Sequence, residues 1–500
     1  MRPLNNESKE DFINNYEKAR RYSTWIPSTF VAQLSKNDYA YLQEKMHKYA
    51  GFYIIKRSLR EYPVISGPNV LGYISEVNEA LISKNPYYQQ GELIGTAGVE
   101  KTYENILRGK KGVKRIQRDR FNREIGPFKN GMYDTLPVPG QDITLTIDSK
   151  LQQYGEALMV NKRGGIVAIE PATGEILALI STPTYDPNLM VGRERSKNFT
   201  KLYLDTISKP LFDRGLQAQY PPGSPFKVMT ALAALQENAI TTTTSIKCFG
   251  GYRYGSGKNA FMECHCDTYG APVQLNKAIY RSCNSYFSNA YRKSIEKFPT
   301  AAEGMDTWNK HITSFGLGNY LNNDLSVGQP GLIPDGEFYN RWYPDSRWTA
   351  TYSISNAIGQ GEILTTPIQL ANMTAAVANR GYYFTPHIVK KIAGQELDEK
   401  YTTRNNTTID KRHFEPVIEG LFNVLDHPNG TAVWSKVEGL EICGKTGRAE
   451  NPHGQDHSIF IAFAPKDNPK IAMAVFVENG YWGSRWAGPI ASLMIEKYLT

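Results

Sequence analysis

The sequence lacks any apolar run of about 18 residues, the length that a membrane-spanning helix needs. It also lacks a signal peptide, because residues 1–11 are polar from the start. It contains no internal repeat and no low-complexity tract. Taken literally, these absences indicate a soluble chain, although a chain trimmed of an N-terminal anchor would look the same.

Neither charge nor hydrophobicity is extreme. Hydrophobic residues make up 41% and charged residues 21%, which excludes disordered and collagen-like classes. The length of 500 residues predicts two or more domains. The net charge of +8 is compatible with nucleic acid, anionic lipid or a pyrophosphate-bearing substrate, and charge alone does not choose among them.

The first part of the chain differs in texture from the rest. Residues 1–60 show a helical spacing, with a break at 35–37, and residues 62–139 consist of short apolar pieces cut by Gly and Pro. A basic stretch at 108–123 is interpreted as a solvated face. The texture changes at 137–140, so we place a domain boundary near residue 140.

The second part predicts an α+β domain. Its strands are expected at both ends of the segment and its helices between them, which suits one antiparallel sheet with helices on its faces. The predicted strands are 142–148, 165–169, 175–180, 458–464 and 471–477. The predicted helical regions are the one after residue 148, 224–296 with a Gly-rich break at 250–257, 366–378 and 490–498.

A serine and a lysine lie three residues apart at the start of a predicted helix. Ser224 and Lys227 follow Pro222 and Gly223, which are typical of a helix start, and precede an apolar helical run. Residues three apart share one helix face, and a partly buried lysine can be neutral enough to take the serine proton. Alone, the pair is also compatible with a helix-capping serine and a surface lysine.

Two further motifs follow in order. Ser282, Cys283 and Asn284 form an S-x-N group, and Lys445, Thr446 and Gly447 form a K-T-G group ahead of the predicted strand hairpin. The set of S-x-x-K, S-D-N-like and K-T-G motifs is typical of β-lactamases and penicillin-binding proteins. The combination predicts a serine acyl-transfer site. Glycine at position 447 has two interpretations: it is a strand residue that simply lacks a side chain, or it allows the substrate backbone to approach the strand closely.

Longer segments resemble the class B penicillin-binding proteins. The similar segments are 164–183, 221–227, 358–371 and 429–432, and 62–63, 72–73 and 98–109 resemble the N-terminal pedestal of that class. Segments 451–454 and 482–487 resemble the branch that acts in cell elongation. The resemblance implies a pedestal at 1–140, a penicillin-binding transpeptidase domain at 141–500, and a membrane anchor upstream of this chain.

The resemblance also implies an activity. Such a protein is a peptidoglycan D,D-transpeptidase of the inner membrane with a periplasmic catalytic domain, and it cross-links stem peptides through a serine acyl-enzyme that β-lactams also form. It needs no catalytic cofactor, and its partner is a membrane glycosyltransferase rather than nucleic acid. The rivals are a β-lactam sensor or β-lactamase of the same fold and a scaffold that has lost activity.

The resemblance assigns roles to the motif residues. Ser224 would be the nucleophile, Lys227 the base, Ser282 a proton relay, Asn284 a hydrogen-bond partner of substrate and Lys227, and Lys445 a positive charge. Thr446 would bind the terminal carboxylate, and the backbone N–H groups of Ser224 and residue 448 would form the oxyanion hole. Position 448 departs from the family pattern, which has Thr there; the Arg448 fork can also bind a carboxylate.

Four of the five cysteines lie between positions 248 and 283. Cys264 and Cys266 on an extended segment would point to one side and His265 to the other. With Cys248 and Cys283 they would supply the four soft ligands of a structural zinc site, which some relatives carry near the second motif. A Cys248–Cys283 disulfide, free thiols, and His265 in place of one thiol stay open as alternatives. The fifth cysteine, Cys443, is interpreted as a core thiol.

Overall fold

The computed structural model describes residues 9–22, 28–31, 36–54, 59–121, 123–192, 194–258, 260–344 and 348–500. It divides into two units, one of residues 1–142 and 185–206 and the other of residues 143–184 and 207–500. The interpretation of the first unit as a pedestal that ends near residue 140 stays a prediction.

The first unit is built from short elements. Its helices within the described ranges are Lys9–Tyr22, Lys36–Gln43, Met46–Lys48, Pro68–Leu71, Glu79–Lys84, Gly98–Thr102, Glu104–Leu107, Phe128–Gly131, Pro187–Met190 and Arg195–Tyr203. Its strands form two antiparallel pairs, Ile74–Glu76 with Leu93–Gly95 and Ile116–Arg118 with Glu124–Pro127. The predicted helical spacing of residues 1–60 is found at 9–22, 36–43 and 46–48. The break expected at 35–37 is wrong for residues 36 and 37, which begin the helix Lys36–Gln43, and residue 35 lies outside the described residues.

The second unit contains a five-stranded antiparallel sheet. Its strands are β1 (Gly164–Ile169), β2 (Ile176–Thr182), β3 (Cys443–Ala449), β4 (His457–Ala464) and β5 (Ile471–Val477). Their spatial order is β3-β4-β5-β1-β2, so the two ends of the segment meet in one sheet, as predicted. Three of the strands, β1, β2 and β5, are buried along their whole length because helices cover both faces of the sheet.

The central helix of one face shows why these residues fold locally as they do. The helix Pro367–Ala378 begins with Thr366 as its N-cap, whose hydroxyl accepts from the Gln369 N–H while the Gln369 side chain accepts from the Thr366 N–H. Every residue of this helix is buried. On the opposite face, Ala487–Leu499 packs on β4 and β5, and Ser149–Leu158 packs on β2.

The second unit contains further helices and short strands within the described residues. The other helices are Arg214–Gln217, Ser224–Phe226, Lys227–Gln236, Leu275–Tyr280, Asn284–Glu296, Ala301–Thr313, Gly336–Trp342, Ile354–Ile358, Glu399–Thr402, Lys411–His413, Phe414–Asp426 and Val433–Ser435. The other strands are Ile143–Leu145, Ile246–Lys247, Gly251–Arg253, Phe261–Glu263, Pro272–Val273, Tyr382–Phe384, Val389–Ile392 and Arg404–Asn406.

Two expectations about these elements need correction. The region 224–296 is helical only at its two ends, because residues 246–273 form two short antiparallel strand pairs around the cysteines. The strand expected at 142–148 is reduced to Ile143–Leu145 and pairs with Val389–Ile392 instead of joining the main sheet. Asp148 ends it early because its side chain caps the following helix.

Candidate active site

The turn that carries Ser224 packs closely against β3, at the edge of the sheet. Ser224–Phe226 is a 3₁₀ turn that leads directly into the helix Lys227–Gln236. Gly223 has φ +60°, and a Cβ on it would lie 2.5 Å from the Arg448 carbonyl oxygen, so only glycine allows this approach. A Cβ on Gly447 would likewise lie 2.5 Å from Cδ of Pro225. Gly447 is therefore required for the strand to pack on the serine turn.

Lys227 is buried, and its amine has three oxygen neighbours. Its side chain is 1% exposed, and its Nζ lies 2.8 Å from the Ser282 carbonyl oxygen, 3.0 Å from Ser282 Oγ and 2.5 Å from Asn284 Oδ1. Burial lowers the pKa of this lysine to about 8, against a smaller opposing effect of the nearby cysteines. A buried amine with three oxygen neighbours and a lowered pKa can lose its proton near neutral pH.

Ser282 connects this lysine to the candidate nucleophile. Ser282 Oγ lies 3.1 Å from Ser224 Oγ and 3.0 Å from Lys227 Nζ. Ser282 has φ +54°, a left-handed conformation that is costly for a residue with a side chain. Among the described residues, Ser224 and Lys227 share no direct hydrogen bond, and the hydrogen-bonded path between them runs through Ser282.

The K-T-G residues lie on β3, an edge strand. Lys445 is 0% exposed, and its Nζ donates to the Thr446 carbonyl at 3.2 Å. Burial and the nearby Lys227 hold the pKa of Lys445 well below its usual range. The two amines therefore disfavour each other's charge, and an anion bound between them would favour the charged forms. The Thr446 hydroxyl lies 2.9 Å from the Thr431 hydroxyl.

Arg448 is held at the same edge. Its Nε lies 3.2 Å from Asp456 Oδ2, and its guanidinium carbon lies 4.6 Å from the centre of the Trp482 ring. Its carbonyl accepts from the Gln360 side chain at 3.1 Å, so it faces away from β4. Because the N–H and C=O of a residue point to the same side of an antiparallel strand, the Arg448 N–H faces the open edge as well.

The four cysteines form one cluster. The Sγ atoms of Cys248, Cys264, Cys266 and Cys283 all lie within 4.8 Å of one another, all four residues are buried, and all are free thiols. A tetrahedral zinc ion bound at about 2.3 Å would separate its sulfurs by about 3.8 Å, so the residues fit such an ion. His265 is exposed and is not a member of the cluster.

Hydrogen bonding within the cluster changes the pKa values of its thiols in opposite directions. Hydrogen bonding with the sulfurs of Cys266 and Cys283 lowers the pKa of Cys264. The same interaction with Cys264 raises the pKa of Cys283. In Cys443, which lies apart from the cluster on β3, burial raises the thiol pKa, in keeping with a core thiol.

The cluster contacts the S-x-N motif directly. The Asn284 N–H donates to Cys264 Sγ at 3.1 Å, and its side-chain amide donates to the Glu263 carbonyl at 2.6 Å. Arg281 donates to the Cys266 carbonyl at 3.0 Å and to the Asn429 carbonyl at 2.8 Å. The cysteine segment thereby fixes the residue that holds Lys227.

Some residues of this arrangement were not singled out by the sequence. Thr431 was noticed only as part of a family segment, and Asp456 and Arg281 carried no motif signal. They act through contacts between distant segments, as in the Thr431–Thr446, Asp456–Arg448 and Arg281–Asn429 pairs. Of these, only Thr431 had a usable signal, because it lies inside a segment similar to the family.

Among the described residues, no helix has the length and apolar character to cross a membrane.

Comparison with protein families finds two matches. Residues 164–496 match the penicillin binding protein transpeptidase domain, and residues 2–145 match the penicillin-binding protein dimerisation domain. Together the two models account for nearly the whole chain.

Individual relatives agree with the family models. The chain is 32% identical to the peptidoglycan D,D-transpeptidase MrdA of Acinetobacter baumannii over 93% of this chain and 70% of that protein. It is 28% identical to MrdA of Escherichia coli over 98% of this chain and 78% of that protein.

Solved structures are similar over 89% to 99% of this chain. Penicillin-binding protein 2 of Helicobacter pylori in complex with MreC has a TM-score of 0.83 at 27% identity, over 99% of this chain and 89% of that one. Penicillin-binding protein 2 of Pseudomonas aeruginosa in complex with WCK 5153 has a TM-score of 0.73 at 32% identity, over 89% of this chain and 93% of that one. The chain belongs to the penicillin-binding protein transpeptidase family, and its relatives include penicillin-binding protein 2.

Proposed function

We propose that this protein is a peptidoglycan D,D-transpeptidase that cross-links stem peptides during cell elongation through an acyl-enzyme on Ser224. The observation that carries the proposal is the continuous path from Ser224 Oγ to Ser282 Oγ, 3.1 Å, and on to Lys227 Nζ, 3.0 Å. The family match and the names of the relatives supply the substrate class.

Acylation follows from this path. Ser224 Oγ attacks the carbonyl carbon between the two terminal D-alanines, its proton passes to Ser282 Oγ, and the Ser282 proton passes to the neutral amine of Lys227. The peptide C–N bond then breaks, and the departing D-alanine nitrogen takes a proton back along the same path. In the second half, the amine of another stem peptide attacks the ester, and the proton it loses returns to Ser224 Oγ.

The edge strand supplies the charge stabilisation. The N–H of Arg448 faces the open edge of β3, and the N–H of Ser224 begins a 3₁₀ turn without an intrahelical acceptor, so both can bind the developing oxyanion. The Thr446 hydroxyl binds the terminal carboxylate, and that carboxylate favours the charged form of Lys445. The Arg448 fork, in place of the family threonine, adds a second carboxylate contact.

We further propose that the cysteine cluster holds a structural zinc ion bound by Cys248, Cys264, Cys266 and Cys283. Their mutual distances and complete burial support a closed four-sulfur site. When bound, the metal supplies no reaction chemistry and only keeps the four thiolates together. The cluster's role is then to fix Asn284 through its contact with Cys264.

A measurement of zinc separates this proposal from the alternatives. Elemental analysis of the purified protein is expected to give one zinc per chain, and chelation is expected to lower the melting temperature and to expose four titratable thiols. A metal-free protein with four titratable thiols before chelation would exclude the zinc site, and a protein without titratable thiols or zinc would indicate disulfides.

The location and partners follow from the relatives. We propose that the catalytic unit works in the periplasm, attached to the inner membrane by an anchor outside this chain, and that residues 1–140 form the pedestal. A match to the dimerisation domain supports an interaction role for that region. Penicillin-binding protein 2 of Helicobacter pylori has been solved with MreC, and a further neighbour belongs to a peptidoglycan synthase complex that couples polymerization and crosslinking. The synthase complex, which includes polymerization, supports a glycosyltransferase partner here.

Labelling with a fluorescent penicillin tests the function. A stable adduct that Ser224→Ala abolishes, and that the exposed Ser83→Ala control keeps, is expected for the transpeptidase. Rapid turnover of the adduct would indicate a β-lactamase, and no adduct would indicate a scaffold. Release of D-alanine and formation of dimers from a pentapeptide substrate would then distinguish the transpeptidase from a β-lactam sensor.

A further inference from the structure

An open cavity of about 480 Å³ lies in the second unit, apart from the serine motifs. It is bounded by the loop 320–329, the end of the helix Arg214–Gln217 and the start of the helix Pro367–Ala378. None of the S-x-x-K, S-x-N or K-T-G residues lines it. Its volume is that of a site for a small molecule or one or two sugar rings.

The chemistry of the lining is polar but uncharged. Among the described residues that line the cavity, none is acidic or basic. The side chains of Gln217, Asn322, Ser326 and Gln329 have no hydrogen-bond partner within the part of the chain that the structure describes. Three carboxamides and a hydroxyl are thus free to bind a neutral ligand rich in hydroxyl and amide groups.

An aromatic ring forms one side of the cavity. Tyr320 is 59% exposed, and a Cβ built on Gly328 would lie 3.7 Å from its ring, so one edge of the ring is supported by that glycine. Leu216, Leu325 and Ile368 add apolar surface beside it. An exposed ring next to amides and aliphatic groups suits the apolar face of a pyranose and the methyl of an N-acetyl group.

The walls of the cavity are held in place before any ligand binds. The Gln369 side chain donates to the carbonyls of Asn319 at 3.0 Å and Pro330 at 2.7 Å, at the two ends of the loop. The Asp324 carboxylate accepts from the N–H groups of Ile388 and Val389 at 2.8 and 2.9 Å. A loop anchored at both ends and in the middle loses little freedom on binding.

We propose that this cavity binds an uncharged N-acetylated amino sugar of the glycan strand that carries the stem peptides. The inference rests on the proposed function, because that function supplies a substrate whose peptide is attached to such a glycan. Gln217 precedes Ser224 by seven residues, which limits the distance between them to about 25 Å. Four stem residues of about 3.5 Å each, with the sugar, can cover much of that distance.

Titration of the whole chain with chitotetraose, a neutral tetramer of N-acetylglucosamine, tests the proposal by calorimetry. Saturable binding is expected, with Tyr320→Ala weakening it about tenfold or more and Tyr320→Phe keeping it within about twofold, since the ring is retained. The control Tyr352→Ala removes a tyrosine that is 54% exposed and lies outside the cavity, and it is expected to leave binding unchanged.

Two results would overturn the proposal: no saturable binding to the unsubstituted protein, or equal affinity of Tyr320→Ala and the unsubstituted protein. The melting temperature of each variant shows that it is folded. Penicillin labelling of the unsubstituted protein is measured on the same sample. A failure of the acylation chemistry and a failure of the sugar site therefore give different results.

Discussion

The two sides of the catalytic cleft are stabilised by different means. The sheet that carries Lys445 and Thr446 is covered on both faces by apolar helices, and residues such as Phe460 and Phe476 are at most 1% exposed. The opposite side, the cysteine lobe (residues 246–258 and 260–273), has strand pairs of two and three residues, and its Tyr269 is 78% exposed. Strands of this length are not stable alone.

The difference indicates that the two sides of the active site depend on different interactions for their stability. Hydrophobic burial fixes the K-T-G strand, whereas the cysteine lobe has three buried sulfur atoms of its own, clustered with that of Cys283, in place of an apolar core. Lys227 lies where the two sides meet, because it donates to Ser282 and Asn284, next to the lobe, from a helix that packs within the core. Substitutions on the two sides should therefore have different effects on the acylation rate and on the zinc content.

The largest effect is expected where both sides meet. Lys227→Met keeps the volume of the side chain but removes the base, so the rate of acylation by penicillin should fall roughly a thousandfold. Stopped-flow or gel-based acylation kinetics measure it. The exposed Lys293→Met, on the Asn284–Glu296 helix, should leave the rate unchanged, and a fall of less than tenfold in Lys227→Met would contradict the relay through Ser282.

The next effect separates the two sides. Cys264→Ala removes one ligand of the proposed zinc site and the acceptor of the Asn284 N–H, so we expect it to abolish that site and to lower the acylation rate about 10- to 100-fold. Cys443→Ala, a buried cysteine of the sheet side, should change neither the zinc content nor the acylation rate. Zinc content and acylation are measured on the same samples. Equal losses in both variants would mean that general destabilisation, rather than the lobe, controls the site.

A smaller effect is expected at Thr431, which reaches the sheet side from a neighbouring loop. Thr431→Val removes the hydrogen bond to the Thr446 hydroxyl, and Thr431→Ser keeps it. The valine variant should raise the half-saturating penicillin concentration about fivefold at an unchanged limiting rate, because one hydrogen bond that orients the carboxylate ligand is lost. Failure of serine to restore the value would assign Thr431 a packing role.

The smallest effect is expected at Arg448, which is partly exposed and already paired. Arg448→Thr should weaken the binding of a penicillin about twofold to threefold while leaving its methyl ester unaffected, because the ester lacks the carboxylate. Asp456→Asn frees the guanidinium from its ion pair and should change the same ratio in the opposite direction. An unchanged ratio of the two probes in Arg448→Thr would remove any carboxylate role for this arginine.

Parts of this picture could be predicted because they follow from local patterns. The β1–β2 hairpin was predicted from β-branched runs around a Pro and Gly turn, and the β4–β5 hairpin from two buried runs separated by residues 465–469. The helix after Thr366 was predicted from its helical pattern. The short strands around the cysteines were missed because two or three residues carry no period that distinguishes them from a loop or a frayed helix.

The sequence by itself determined the α+β class and the family, and it predicted which serine, lysine and cysteine residues bear the chemistry, since these depend on residue type and on spacing along the chain. Tertiary structure alone decided that Ser282, in a left-handed conformation, stands between Ser224 and Lys227. It also decided that Gly447 is needed for packing against Pro225 and that Arg448 pairs with Asp456. These contacts join segments far apart in the chain, and no local pattern specifies the distance between their atoms.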